Sequence, residues 1–513
     1  MVNKSKNTPL ASKDNGIYSI LLSDLQPLST IKKTVIDKQG NSKLIVYNDW
    51  LFTDKTANKS LQIKNEQAAE VSESKQELKS ETKAILDYIY EVLQKKSSSA
   101  FTLLDKKKEN DEKILYRPYE SSTHSPEWMA GRYVGEMVMV VPKQGQVKLR
   151  IEPRFGTLFL CHMLEEIYNF KIPESVKRQA DGDFWNKFYQ LILRQLWIAK
   201  FAKADQYGLP RQTVKRTHQG MQIRGHLNVR KSILPFFTKK EVVSEYREKE
   251  VDDMIGRIVY KAYDILADKE TGLRHIPPQV QESINDLYSR YHGEQIKIAE
   301  HDYQSIRYKS IYVSWKPLVD FSWQIIKHRG YNPEQSTDEQ GYGLFFDMAE
   351  IWETYVGKLL EKDFVHCTER DSNIRLFENE EEKQFQRIIP DYLSRDWTNE
   401  KAIAVGDAKY MTLANKETLQ GEQTNSVYYK TIMYMYRFNS QKGFIFYPMK
   451  HDDSAKDVQE FQIAGDKQGK FYMVGLRLPE ENDKDYLNKL KKHEDNFREA
   501  VSKKLGFQTS ATS

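Results

Sequence analysis

The sequence predicts a multidomain α/β (α+β) chain ending in a mixed sheet flanked by helices. Length is the first sign: 513 residues exceed one ordinary core, so roughly two to four domains are expected. The second is the order helix, strand, strand, helix, strand readable from Phe345 to Pro448. The third is the region before it, a run of hairpin and helix signals with no internal repeat. The expected division is a β-rich element over 1–55, a polar linker and helix over 56–130, a mixed β/helical domain over 131–335, an α/β core over 336–480, and a charged helix and tail over 481–513.

Composition narrows the classes of function. Charged residues make up 29% of the chain and aromatics 12%, a globular composition rather than a disordered one. A net charge of +5 is small for this length; it permits nucleic-acid binding without arguing for it. Cys161 and Cys367 are the only cysteines, too few for a disulfide framework or a Cys-based zinc site, and they suit a reducing cytosol. The opening MVNKSKNTPLASKDNG lacks the apolar core of a signal peptide, and no apolar run approaches membrane-spanning length. A cytoplasmic chain with no membrane partner is the expectation.

Gly16 to Phe52 holds short apolar runs, IYSILL and LIVYNDWLF, around a turn at Lys38–Asn41, which reads as β-rich. Thr53 to Lys83 is polar and reads as linker or exposed helix; Ile85 to Gln94 is apolar at helical spacing. Tyr133 to Val141 and Val147 to Pro153 form a hairpin signal about Gln144-Gly145-Gln146. Thr157–Phe170, Phe184–Ala204, Val251–Ala267 and Val280–Tyr291 read as helices, and Met221–Val229 as strand-like. Phe345–Leu360 reads as a strong amphipathic helix and Val427–Phe438 as another. Gly443–Pro448 and Phe471–Pro479 read as strands, and Asp483–Leu505 as a charged helix packed on one face.

The most informative stretch is QRIIPDYLSRDWTNEKAIAVGDAKYM, Gln386 to Met411. Two apolar runs flank a polar turn, as in a hairpin. Adjacent strands would bring Asp391, Asp407 and Lys409 to one sheet end, with Asp407 and Lys409 on the same face at a spacing of two. Two carboxylates and the Ala408 carbonyl suit Mg²⁺ or Mn²⁺, which prefer hard oxygen ligands and keep several waters. The Lys409 ammonium beside them would orient a water or neutralise developing charge, as phosphodiester hydrolysis requires. Glu353, among the apolar positions Phe346, Trp352, Tyr355 and Val356 of the preceding helix, would reach such a metal through water. An ordinary strand-end ion pair is the plainer reading of Asp407 and Lys409, but an apolar-flanked Asp-Ala-Lys is costly to bury without a purpose.

These residues resemble the PD-(D/E)xK nuclease superfamily and, more narrowly, the McrC nuclease subunits of McrBC-type, modification-dependent restriction systems. FFDMAEIWETYVGKLL is similar to that family's helix before the catalytic strands, with Trp352-Glu353 where Phe-Glu is usual. RIIPDYL and VGDAKY match the catalytic strands, where Asp-x-Lys-Tyr is typical. GRYVGEMVMV with VKLRIEPRFG resembles an N-terminal hairpin ending in Ile-x-Pro-Lys, with Arg154 for Lys. IRGHLNV resembles an Arg-Gly-Arg strand, with His226 for the second Arg, and GFIFYP resembles the last core strand. The following helix usually carries Gln-x-x-x-Tyr; here Lys430 to Tyr434 reads KTIMY, and a Lys there can still contact phosphate. The likeness runs from about Gly131 to Pro479, and the segment before it has no counterpart.

The resemblance implies a restriction-endonuclease-like core and a metal-dependent endonuclease acting on DNA. Asp391, Asp407 and Glu353 would serve the metal, Lys409 the chemistry, and Lys430 and Tyr434 would support them. It also implies a partner, a McrB-like AAA+ GTPase or ATPase hexamer, docked by the 131–335 domain. The chain itself binds no nucleotide: the nearest phosphate-loop string, GDKQGKF at Gly465–Phe471, has the wrong spacing and Phe where Ser or Thr must hold Mg²⁺. Two alternatives stay open. One is a nuclease-derived scaffold that mainly activates the partner NTPase, supported by Lys430 in place of Gln. The other is a stand-alone DNA repair nuclease.

Between Asp205 and Glu241 there is no acid, while Arg211, Lys215, Arg216, Arg224, Arg230, Lys231, Lys239 and Lys240 cluster there. The stretch suits phosphates, an acidic patch on a partner, or a plain solvated face. His124, His162, His218, His226 and His366 show no paired ligand spacing. Tyr428, Tyr429, Tyr434 and Tyr436 suit base stacking, or more simply a helix core.

Overall fold

The computed structural model describes residues 16–23, 30–36, 42–48, 84–92, 101–104, 114–116, 129–142, 145–172, 183–267, 278–329, 342–367, 374–380, 383–398, 401–411, 422–465 and 468–506. The chain forms two compact units, Met1–Gln179 with Thr337–Ser513, and Ala180–Ser336. The expected polar segment 53–83 lies outside the described residues. Among the described residues no helix is long and apolar enough to cross a membrane. Cys161 and Cys367 are buried and form no disulfide.

The first unit contains a seven-stranded sheet in the order Ser42–Asn48, Thr30–Ile36, Gly16–Ser23, Gly145–Glu152, Tyr133–Val141, Tyr342–Asp347, Phe101–Leu104. The expected hairpin is its centre, running antiparallel from Gly135↔Ile151 to Val141↔Gly145. Period-two alternation turns Tyr133, Met137, Met139 and Val141 to the same side as Val147, Leu149 and Ile151, where the helix 84–92 buries Ile85, Leu86, Ile89 and Val92 against them. Each such fully buried apolar side chain contributes roughly 1.5–3 kcal/mol.

This sheet redraws two expected boundaries. The β-rich element at the N-terminus is not separate, since Gly16–Ser23 pairs in parallel with Gly145–Glu152. The expected domain 131–335 is divided between the units, because its hairpin bonds to Tyr342–Asp347. Nor is Phe345–Leu360 one helix. Phe345 and Phe346 complete that strand, and Asp347 then caps the helix by accepting from the N–H groups of Ala349 (3.0 Å) and Glu350 (3.3 Å).

The second unit packs the helices Asp183–Ala204, Asp253–Leu266, Pro278–Tyr291 and Lys316–Arg329 around Trp197, Phe201 and Trp315. It also carries a three-stranded sheet in the order His226–Leu227, Val242–Val251, Arg211–Gly220. The strand expected at Met221–Val229 is reduced to His226–Leu227. Gly225 turns the chain at φ +76, where an added Cβ would meet the Glu245 carbonyl at 2.5 Å, and Asn228 caps the helix Val229–Lys239 through the Lys231 N–H.

The remainder of the first unit is a six-stranded mixed sheet. Its elements are α1 (Met348–Leu359), β1 (Phe364–His366), β2 (Tyr392–Ser394), β3 (Ala404–Ala408), α2 (Glu422–Arg437), β4 (Lys442–Met449), β5 (Val458–Gln462), β6 (Lys470–Arg477) and α3 (Tyr486–Leu505). The sheet order is β1-β2-β3-β4-β6-β5. Strands β3, β4 and β6 are parallel, and the flanks are antiparallel. That centre explains why AVGDA and GFIFYPM read as nearly continuous apolar runs: both faces are covered. Helix α2 packs Tyr434, Met435 and Phe438 on Leu393 and Val405. On the other face Trp352 of α1 donates to the Phe446 carbonyl (3.2 Å), and Phe497 of α3 meets the Phe446 ring. Helix α3 buries Tyr486, Leu490, Glu494, Phe497, Val501 and Leu505, the one-faced packing its sequence predicts.

RIIPDYL is not one strand. Gln384–Arg387 pairs with Arg375–Glu378 in a separate ribbon, Gln386 takes φ +58, and pairing resumes only at Tyr392. Asp391 therefore sits at a bend just ahead of β2.

Candidate active site

Pairing of β2 with β3 matches Tyr392 to Gly406 and Leu393 to Val405. Continued by one residue, this antiparallel register sets Asp391 opposite Asp407, and opposed residues share a face. A hydrogen bond fixes the match: the Ala408 N–H donates to Asp391 Oδ2 at 2.7 Å. Strand β3 is held in turn by β4, where the Lys409 N–H donates to the Phe446 carbonyl at 2.8 Å.

Asp407 is fully buried and ion-paired with Lys409. Apart from that pair, neither of its carboxylate oxygens has a hydrogen-bond partner among the described residues. Lys409 Nζ also lies 3.2 Å from the Ala408 carbonyl. Asp391 keeps part of its surface open to solvent, but its carboxyl is enclosed. Burial, then the Asp407 and Glu353 carboxylates, hold it well above the usual carboxylate range, against the opposing pull of Lys409 and the Ala408 N–H. Three acids and one lysine thus share one electrostatic neighbourhood.

Glu353 reaches that neighbourhood from α1. His366 Nε2 lies 2.7 Å from Glu353 Oε1, and the Tyr392 hydroxyl donates to the Glu353 carbonyl at 2.5 Å. Helix α1 is set by its start: Arg132 pairs with the capping Asp347 at 2.6 Å, and the Met348 N–H donates to the Arg132 carbonyl. Tyr434 is buried and donates to the Ile389 carbonyl at 2.9 Å, bracing the segment that leads to Asp391. Burial, then Asp407 and Asp391, push its hydroxyl pKa up. Lys430 stands on the exposed side of α2, its Nζ 5.8 Å from the Tyr434 ring centre. Tyr428 is half-buried, whereas Tyr429 and Tyr436 are exposed.

Two departures from the expected motifs have local reasons. The Trp352 indole donates a hydrogen bond that Phe could not. The Arg154 guanidinium donates to the Tyr410 carbonyl, next in sequence to Lys409, and lies 5.1 Å from the Tyr410 ring centre.

Among the described residues no cluster of three His, Cys, Asp or Glu side chains forms a ready cage for a metal ion. The arrangement offers two carboxylates with the Ala408 carbonyl beside them, while Glu353 Oε1 is engaged by His366. A sealed carboxylate with open lone pairs, facing a second carboxyl that resists ionisation, suits a small divalent cation with retained waters.

The basic residues Arg211, Lys215, Arg216, Arg224, Arg230 and Lys231 lie in the other unit. Acid-free in sequence, they are not acid-free in space. The strand Val242–Val251 brings Glu250 to Arg216 (2.6 Å), and Glu245 to Lys231 (3.3 Å) and Lys215 (3.5 Å). Arg211, Arg224 and Arg230 are exposed and without an ion-pair partner among the described residues. The same module exposes Met221 (81%), Leu234 (74%) and Phe237 (81%). Sequence reasoning missed this surface: Met221 falls in the stretch read as a strand, and Leu234 and Phe237 lie in a helix that was not expected. It also missed His366, for which residue spacing carries no signal.

A family model described as McrBC 5-methylcytosine restriction system component matches residues 130–448. Two solved structures are similar. One is a refined half-complex from the tetradecameric assembly of Thermococcus gammatolerans McrB AAA+ hexamers with bound McrC. It is 17% identical over 74% of this chain and 85% of that one, at a TM-score of 0.42. The other is the cryo-EM structure of the Thermococcus gammatolerans McrBC complex, 16% identical over 67% and 87%, at 0.28. No curated protein matches the chain.

Proposed function

The chain belongs to the family of McrBC restriction-system components, and from that premise we propose that it is the McrC-like DNA endonuclease subunit of a restriction or phage-defence complex, dependent on Mg²⁺ or Mn²⁺. The carrying observation is the register that opposes Asp391 to Asp407 with Lys409 ion-paired beside them. The order α1, β1, β2, β3, α2, β4 supports a PD-(D/E)xK core.

Asp391 and Asp407 would hold the cation, with the Ala408 carbonyl in reach and Glu353 acting through water. Bound there, a divalent ion supplies Lewis-acid polarisation of the phosphate and a more acidic water. Lys409 neutralises charge developing on the phosphate oxygens, and its fixed pairing with Asp407 aims it in advance. Tyr434 keeps the approach to Asp391 rigid. Lys430, exposed on α2, is free to meet the DNA backbone.

Energy input would come from a separate AAA+ GTPase or ATPase. Leu234 and Phe237, three apart on one face of the helix Val229–Lys239, are exposed, as are Met221, Arg224 and Arg230 in the same unit, and such a surface suits docking on a partner of this kind. The decisive experiment assays Mg²⁺-dependent DNA cleavage and partner NTPase stimulation together. Asp407→Ala should lose cleavage and keep stimulation. Cleavage at the wild-type rate by that variant would overturn the assignment, and stimulation with no cleavage by the wild-type chain in any divalent metal would favour the scaffold.

A further inference from the structure

We propose that His366 is a positioning residue of the candidate site: it fixes the Glu353 carboxylate toward the Asp391–Asp407 pair and thereby sets the site's affinity for a divalent cation. This rests on the metal-dependent reading above.

His366 ends β1, and its register partner is Tyr392. Two bonds tie the end of this short edge strand to the acids, and a third comes from its register partner on β2. His366 Nε2 engages Glu353 Oε1 at 2.7 Å. The Cys367 N–H donates to the Asp391 carbonyl at 2.9 Å. The Tyr392 hydroxyl, whose ring lies 5.5 Å from that of His366, donates to the Glu353 carbonyl. One dipeptide therefore spans both acids, the first by its side chain and the second by its backbone.

The imidazole is itself held. A Cβ added at Gly357 of α1 would come within 3.1 Å of His366 Cβ and 3.2 Å of Cγ, so the helix approaches the strand closely only where it has no side chain. A ring so confined presents one nitrogen to one carboxylate. With that nitrogen at 2.7 Å from Glu353 Oε1, His366 acts on the site through the carboxylate. Outer residues that orient a carboxylate typically change metal affinity by about 10–100-fold when removed.

The test is Mn²⁺ binding to the full chain without DNA, followed by the electron paramagnetic resonance of free Mn²⁺, with thermal melting of each variant. Asp407→Asn should abolish binding. His366→Phe, which keeps a ring beneath Gly357 and removes the donor, should weaken it about 10–100-fold. His366→Gln, which restores an N–H donor, should fall closer to wild type than to His366→Phe. Adding His366→Phe to Glu353→Gln should cost nothing further, because the pair acts as one.

Wild-type affinity in His366→Phe, alongside binding lost in Asp407→Asn, overturns the positioning role and leaves the metal reading standing. So does an additive loss in the double variant. Equal losses in His366→Gln and His366→Phe with none in Glu353→Gln would make His366 a ligand instead. Absence of Mn²⁺ binding by the wild-type chain overturns the metal reading and this role together. If His366→Phe melts too early to measure, His366→Ala decides the question by the same criteria.

Discussion

Asp391 faces Asp407 across β2 and β3, and the Ala408 N–H pins the two positions together at 2.7 Å. Without a cation this opposition works against folding. Asp391 is held above the usual carboxylate range by burial and by its acidic neighbours, so the folded state binds its proton more tightly than the unfolded chain does. Its stabilising contribution is therefore full below the unfolded value, about 3.9, and is lost as pH rises through the folded one. Asp391→Asn keeps the acceptor for the Ala408 N–H and removes the charge. In chelator, the variant should melt higher than wild type at neutral pH, with the gain fading as pH falls toward 4. A lower melting temperature at pH 7 would mean that the Asp391 carboxyl is not held above its usual range.

Among the described residues, Lys409 carries the only counter-charge paired with Asp407. Lys409→Met would leave a sealed carboxylate unpaired, at a cost of roughly 3–5 kcal/mol where breaking a buried pair forces an uncompensated charge. Adding Asp407→Asn should restore most of that loss, while DNA cleavage stays absent in both. Denaturant melts of the two variants measure it. If the second substitution recovers no stability, Asp407 is not the group that Lys409 neutralises.

The sequence made this site legible for a physical reason. A buried parallel strand has to be apolar, so Asp407 and Lys409 stand out against AVG and the following Tyr410. Helices with one apolar stripe, such as α3, were readable for the same kind of reason. What escaped depends on contacts distant in sequence. His366 meets Glu353 only because β1 lies beside α1, and Arg132 meets Asp347 across 215 residues. The break at Gln386 also escaped, since a positive φ at a non-glycine residue leaves no mark in an apolar run. The acid-free stretch after Asp205 misled by its locality: its counter-charges arrive from Glu245 and Glu250 on the next strand.

Helix α3 is locked to the same unit by a buried polar group. Glu494 Oε1 lies 2.6 Å from His162 Nε2 and accepts from the Tyr355 hydroxyl at 2.5 Å. Burial raises its pKa, but the His162 bond and charge, the Tyr355 bond and Arg498 outweigh this and leave it below the usual value. A depressed carboxylate contributes stability above its unfolded pKa, about 4.3, that is lost as pH falls through the folded value. Glu494→Gln should cost about 1.5–3 kcal/mol at pH 7, as for hydrogen bonds to a charged group. The gap from wild type should narrow below pH 4, and a gap independent of pH would show that the carboxylate charge contributes nothing.

The basic stretch separates into two groups that the three readings of it treat differently. Arg216 and Lys231 already neutralise Glu250 and Glu245, whereas Arg224 and Arg230 have no ion-pair partner among the described residues. If the stretch binds DNA, Arg224→Ala and Arg230→Ala should each weaken binding across sequences and reduce the slope of log affinity against log salt by about 1. Arg216→Ala should change that slope less, since its charge is already answered. If the stretch instead meets the AAA+ partner, the same two variants should leave DNA affinity alone and lower NTPase stimulation, and Phe237→Glu should do so as well, by charging an apolar contact. Exposure of Phe237 at 81% makes that variant a safe one, because almost none of its side chain supports the fold. Unchanged DNA affinity and unchanged stimulation in all three variants would return the stretch to a solvated face and remove it from the functional account.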